Sequence, residues 1–191
     1  KYLSFNENNL FNISSACDEN IFNLESNRDS EFNVSQYGQF LLYVGAADPR
    51  KNLENLIVAY SKLSISSIVK HRLVLVGKFL EAEIELIYSW MEQVDLPKEY
   101  VSILGYLTDD QLSCLYKNCY LFIFPSFHEG FGLPVLEAMH CGAPVIASKL
   151  TSLPEIINSN DFLFNPYDPE EILRLISQSI DDISFYKRLK K

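Results

Sequence analysis

Glycine and proline are scarce in this chain, 7 and 8 residues among 191, which excludes collagen-like and low-complexity structure. Cysteine is scarce too. Cys17, Cys114, Cys119 and Cys141 form neither a CxxC pair nor a metal-ligand spacing, so no disulfide framework or zinc ribbon is expected. No apolar run approaches the ~20 residues of a membrane-spanning helix; the longest, 120–125, has the length of a strand. Basic residues are outnumbered, 16 Lys and Arg against 25 Asp and Glu, and the net charge of -9 disfavours nucleic acid and anionic lipid as direct partners. The basic run at 187–191 is short and terminal. No charged-then-apolar leader opens the chain, and because residue 1 is Lys rather than Met, an upstream or removed segment is expected. These features together predict a reducing, cytoplasmic compartment, in which the sequons at 12–14 and 33–35 carry no meaning.

What is present is the composition of a soluble globular protein, 48% hydrophobic and 21% charged. The length suits one domain, 1–191, able to bury roughly 70% of its unfolded surface. Four continuous apolar runs of strand length, 40–44, 73–76, 120–124 and 144–147, read as strands covered on both faces. Helical spacing fills the intervals at 53–63, 82–91, 109–116 and 134–139, and weaker strands fit at 11–14, 101–104 and 162–164. This alternation predicts an α/β fold with a doubly wound, Rossmann-like parallel sheet. Thr108 with Gln111 forms a capping box, and Asp168-Pro169-Glu170-Glu171 starts a helix over 169–180, followed by a second over 181–191. Residues 23–39 read as mostly loop.

In such a sheet, ligands bind where strands end and helices begin, facing unpaired N–H groups. The loop after 40–44 reads Gly45-Ala46-Ala47-Asp48-Pro49-Arg50-Lys51-Asn52. Gly45 permits a tight turn, and Arg50 and Lys51 stand beside a helix N-terminus, where cations are disfavoured unless they hold an anion. Solvated loop charge is the competing reading. The loop after 120–124 runs from Pro125 through His128-Glu129-Gly130-Phe131-Gly132-Leu133-Pro134 to Glu137. Pro134 suits the first helical position, Gly130 and Gly132 leave backbone N–H groups open, and Glu137 is expected in the first helical turn. Glu129 and Glu137 are candidate acceptors for sugar or ribose hydroxyls. A role for Glu129 on loop amides and for Glu137 on the helix dipole stays open. A glycosidase carboxylate pair fits less well beside an anion-favouring helix terminus. His128, His140 and Cys141 lack the second cluster that zinc needs.

The run from Glu129-Gly-Phe-Gly-Leu-Pro-Val-Leu-Glu137 through Cys141-Gly-Ala-Pro-Val-Ile-Ala-Ser148 resembles the E-x7-E signature of retaining GT-B glycosyltransferases of family 4, the glycosyl transferases group 1. Supporting matches, in the family's order, are Tyr43-Val-Gly45, Pro49-Arg-Lys-Asn52, Leu104-Gly-Tyr-Leu-Thr-Asp-Asp-Gln-Leu112, Ser152-Leu-Pro-Glu155 and Phe164-Asn-Pro-Tyr-Asp168. They span about 40–180, and residues 12–22 weakly resemble the lead-in strand and turn. The resemblance implies the C-terminal, donor-binding half of a two-domain enzyme that transfers a hexose from GDP-mannose or a UDP-sugar. Lys51, helped by Arg50, would hold the donor diphosphate, and Glu129 would contact hydroxyls of the transferred sugar. The backbone around Phe131, Gly132 and Leu133 would cap sugar and phosphate, with Gly45 and Gly130 also among the donor-binding residues. Glu137 would take the ribose hydroxyls, and Tyr106 and Leu107 would border the base.

No metal or other cofactor is implied. The acceptor, a glycan or lipid-linked sugar, would bind an N-terminal domain absent from this chain, and the full-length protein would dock peripherally at the inner face of the membrane. The Pro-Arg-Lys-Asn version of the first loop resembles bacterial polysaccharide mannosyltransferases. Two departures stand out: Ala46 replaces the arginine many members carry after the loop glycine, and Ala16 replaces a lead-in glycine. A noncatalytic nucleotide-binding module, or an epimerase or phosphorylase on the same fold, is the alternative.

Overall fold

The computed structural model describes residues 17–18, 21–23 and 32–190. A short 3-10 turn, Val34–Tyr37, leads into β1 (Gln39–Val44). Then follow α1 (Leu53–Ser61), α2 (Ile65–Lys70), β2 (His71–Val76), α3 (Glu81–Gln93), β3 (Val101–Leu104), α4 (Asp109–Asn118) and β4 (Leu121–Phe124). The chain continues through α5 (Leu133–His140), β5 (Val145–Ser148), α6 (Leu153–Ile157), β6 (Leu163–Phe164), α7 (Pro169–Asp181) and α8 (Ile183–Leu189). The expected strand at 11–14, the lead-in turn and Ala16 lie outside the described residues.

The six strands form one sheet ordered β3-β2-β1-β4-β5-β6, and every pairing is parallel. Both faces are covered, which is why the strands read as unbroken apolar runs. Along β1, Leu41 and Tyr43 join α1, α3 and α7 in one core, whereas Phe40 and Leu42 join α4, α5 and α6 in the other. Along β4, Leu121 and Ile123 go to the first core, and Phe122 and Phe124 to the second. Fully burying a side chain of this size contributes about 1.5–3 kcal/mol, so the paired cores hold the strand ends rigidly.

The helix starts follow the sequence signals. Thr108 Oγ1 accepts from Gln111 N while Gln111 Oε1 accepts from Thr108 N, and Asp168 accepts from Glu170 N ahead of Pro169. Two short helices go beyond the periodicity reading. Helix α2 is capped by Ser64, whose hydroxyl accepts from Ser67 N, and α6 spans five residues with Pro154 near its start. Because Gly132 caps α5 in the left-handed conformation, at φ 97°, the helix begins at Leu133 rather than at Pro134. Glu137 is therefore its fifth residue and lies beyond the first turn, correcting the expected position.

The order reverses direction between β1 and β4, since the chain winds outward from β1 to β3 and then crosses back to β4. Ligand crevices in doubly wound sheets open at this switch point, outside the carboxyl ends of the two strands. The loops that leave β1 and β4 are the two that the motifs occupy.

Candidate functional site

The first loop is shaped by capping. Asp48 Oδ1 accepts from Arg50 N at 2.8 Å, closing the 3-10 turn Pro49–Lys51. The Arg50 guanidinium folds back onto the same carboxylate, with Nη2 2.8 Å from Asp48 Oδ2, and these bonds hold the Asp48 pKa down to about 2. Arg50 thus points its charge at Asp48 and is largely exposed. Lys51 turns the other way. Its Nζ lies 2.7 Å from Glu129 Oε1 across the switch point, and it sits 5.2 Å from the centre of the Phe124 ring. The side chains of Lys51 and Glu129 are only 24% and 12% exposed.

Asn52 fixes the relation between the loops. It adopts φ 57° and ψ 38°, a left-handed conformation that asparagine tolerates better than most residues. It is buried, and its Nδ2 donates to Pro125 O at 3.0 Å and to Pro166 O at 2.7 Å. Asn55 Nδ2 donates to Pro166 O as well, and Phe127 N donates to Arg50 O at 2.8 Å. The exits of β1, β4 and β6 are thereby cross-linked by polar bonds inside the fold.

Glycines let the backbones meet. A Cβ on Gly77, at the end of β2, would lie 2.0 Å from Gly45 O, so no side chain fits there. A Cβ on Gly132 would meet Leu153 Cδ2 at 2.6 Å, whereas Gly130 faces open space. The second loop is held from β5: Glu129 N donates to Thr151 Oγ1 at 3.2 Å, and Ser152 Oγ donates to Phe131 O at 2.8 Å. Leu133 begins α5 and is partly exposed.

Glu137 projects from α5 to α4, where Tyr116 Oη donates to its Oε2 at 3.2 Å. Burial raises the Glu137 pKa, the Tyr116 bond opposes that rise, and Asp109 adds to it. Gly105, Tyr106 and Leu107 follow β3; Tyr106 is 78% exposed. The structure thus joins Lys51 to Glu129 directly, places Gly45 and Gly130 to Gly132 in the loops flanking that pair with Leu133 opening α5, and turns Arg50 aside onto Asp48. Periodicity did not reveal the roles of Asn52, Gly77, Tyr116 and Thr151. Asn52 and Ser152 were at least visible as motif members.

Among the described residues no group of three or more His, Cys, Asp or Glu side chains is placed to hold a metal ion, and no helix is long and apolar enough to cross a membrane. A cavity of about 480 Å³ lies between α3 and the turn Lys98–Tyr100, lined by Tyr88, Met91 and Lys98 and by none of the residues of either loop. Its chemistry is unconnected with the ion pair.

A doubly wound parallel sheet whose strand order reverses between β1 and β4, with a cationic and an acidic residue paired at that reversal, places both in the crevice where α/β domains of this class bind ligands. The chain belongs to the glycosyl transferases group 1, whose family model matches residues 26–191. It is 39% identical over 194 aligned residues to the serotype-specific mannosyltransferase WbdA of Escherichia coli, covering 100% of this chain and 24% of that protein. Among solved structures, sucrose-phosphate synthase from Thermosynechococcus elongatus superposes with a TM-score of 0.78 at 27% identity, covering 92% of this chain and 44% of that one. HepE from Anabaena, in complex with UDP and glucose, has the same fold, with a TM-score of 0.76 at 23% identity over 92% of this chain and 48% of its own. The chain spans about a quarter of the length of the mannosyltransferase and under half of either enzyme structure.

Proposed function

We propose that this chain is the donor-binding domain of a retaining hexosyltransferase that uses GDP-mannose or a UDP-sugar in polysaccharide biosynthesis. The observation that carries the reading is the 2.7 Å contact between Lys51 Nζ and Glu129 Oε1 at the switch point. Two opposite charges, both largely withdrawn from water, are poised there to exchange partners. The donor's diphosphate takes Lys51, which frees Glu129 to accept hydrogen bonds from sugar hydroxyls. The N-terminal N–H groups of α5 add positive potential beside the departing charge.

In the transfer step the bond between the anomeric carbon and the diphosphate oxygen breaks, and its electron pair leaves with the diphosphate. The acceptor oxygen bonds to the same carbon on the same face, and its proton passes to the departing phosphate. Lys51 and the α5 terminus act on charge that grows during this step, which is where preorganised groups lower a barrier. Arg50 joins them by leaving Asp48. No metal is required by this scheme, because fixed protein charge meets the diphosphate. Glu137 takes the ribose hydroxyls, and the segment at Tyr106 and Leu107 borders the base.

Mannose is favoured as the transferred sugar by the likeness to WbdA over the whole chain. The acceptor, a glycan or lipid-linked saccharide, is held by the remainder of the protein, which works at the cytoplasmic side of the membrane. The test is transfer by the full-length enzyme carrying Glu129→Ala. Loss of at least about 10²-fold in kcat with a folded domain is expected from removing a preorganised polar contact, and unchanged transfer would refute the assignment.

A further inference from the structure

Helix α4 contributes to the site from outside both loops. Tyr116 is completely buried, and its ring is wedged edge-on between Phe122 of β4, at 5.3 Å and 88°, and Phe22, at 6.1 Å and 66°. A phenol hydroxyl in such surroundings must be satisfied. It is satisfied by Glu137 Oε2, 21 residues along the chain and on a different helix. The bond therefore costs the carboxylate its freedom to rotate. A glutamate in the second turn of a helix would otherwise sample several rotamers, and each would aim its oxygens differently.

We infer that Tyr116 is a positioning residue for nucleotide binding: its hydroxyl anchors Glu137 Oε2, so that Oε1 remains as the acceptor for the ribose hydroxyls. The inference rests on the proposed role of Glu137 and adds the group that makes the role geometrically defined. The Tyr116 bond also limits the upward shift that burial imposes on the Glu137 pKa. Burial favours the neutral acid, Asp109 on α4 acts in the same direction, and Cys141, just past the end of α5, interacts with Glu137 without supplying positive charge. Donation from Tyr116 opposes these effects and favours the carboxylate. Without it Glu137 is both loosely aimed and more readily protonated.

The test uses this chain and titration calorimetry with GDP and UDP, each beside its 2′,3′-dideoxy counterpart, between pH 5.5 and 8.5. Wild type is expected to prefer the ribonucleotide. Tyr116→Phe, which keeps the ring, should reduce that preference about 5–10-fold, the scale of one hydrogen bond to a charged group. It should leave dideoxynucleotide affinity unchanged and move the acid limb of ribonucleotide binding to higher pH. Incorporation of 3-fluorotyrosine at position 116, a more acidic donor, should move that limb to lower pH and preserves the reading if Tyr116→Phe fails to fold.

Equal loss of ribo- and dideoxynucleotide binding in Tyr116→Phe, with a lowered Tm, would reduce Tyr116 to a packing residue and overturn the inference. So would an unmoved acid limb for both replacements. Glu137→Gln separates the two layers. If it abolishes ribose preference while Tyr116→Phe retains it, the inference alone falls. If neither wild type nor Glu137→Gln distinguishes ribose from dideoxyribose, the assigned role of Glu137 falls as well.

Discussion

Replacing Asn52 by alanine should destabilise the chain by about 3–4 kcal/mol. The side chain donates to Pro125 O and Pro166 O from a buried position. Pro166 O keeps Asn55 as a donor, so the larger penalty falls on Pro125 O, and a buried carbonyl deprived of its partner costs about 1–3 kcal/mol. Alanine must also adopt φ 57°, a left-handed conformation that asparagine tolerates better, at about 1–2 kcal/mol. For a chain of this size each kcal/mol lowers Tm by about 2–4 °C, which places the variant roughly 10 °C below wild type. Urea denaturation and a thermal scan measure both quantities. Asn52→Gly relieves the backbone part and should recover about 1 kcal/mol. Asn52→Asp presents a carboxylate to carbonyl oxygens and should be no better than alanine. A loss below about 0.5 kcal/mol in Asn52→Ala, or no difference between glycine and alanine, would refute the view that this residue ties the loops together.

Gly132→Ala places a methyl group 2.6 Å from Leu153 Cδ2, which must move aside, and forces alanine into a φ of 97° that L side chains rarely adopt. A destabilisation of about 2 kcal/mol by denaturant titration is expected from strain of this kind, with nucleotide affinity falling in the same variant. His71 is buried against Tyr120, its ring centre 4.5 Å away, and burial lowers its pKa. Because the unfolded chain binds that proton more readily, stability is fully present above the ordinary histidine pKa of about 6.5 and is lost as pH falls through it toward the folded value. Tm should drop between pH 7.5 and 5.5, and His71→Phe should flatten that drop; an identical pH profile would contradict the assignment.

The strands were readable because a parallel sheet buried on both faces leaves unbroken apolar runs, as at 40–44, and the capped starts of α4 and α7 stood out for equally local reasons. Helix α2 was not legible, since Ser64, Ser66 and Ser67 dilute its apolar pattern, and α6 is too short for periodicity to register. The start of α5 lies one residue earlier than the proline at 134 suggests, because Gly132 caps it in the left-handed conformation, and that single residue moves Glu137 just past the first turn. The motif residues themselves were legible. Their partners were not: Lys51 meets Glu129 across 78 residues and Tyr116 meets Glu137 across 21, contacts set by strand order rather than by spacing along the chain. Arg50 illustrates the same limit in reverse, since its charge was visible and its commitment to Asp48 emerged only from the turn geometry.

The central claim is that Lys51 is held in reserve by Glu129 for the diphosphate of a sugar donor. Calorimetric titration of this chain with GDP-mannose and UDP-glucose, repeated with Lys51→Ala, tests it most directly. Saturable binding of at least one donor, weakened about tenfold or more by the substitution, equivalent to about 1.4 kcal/mol, is the predicted result. Equal affinity in the two proteins, or no binding by a folded wild-type sample, would contradict it.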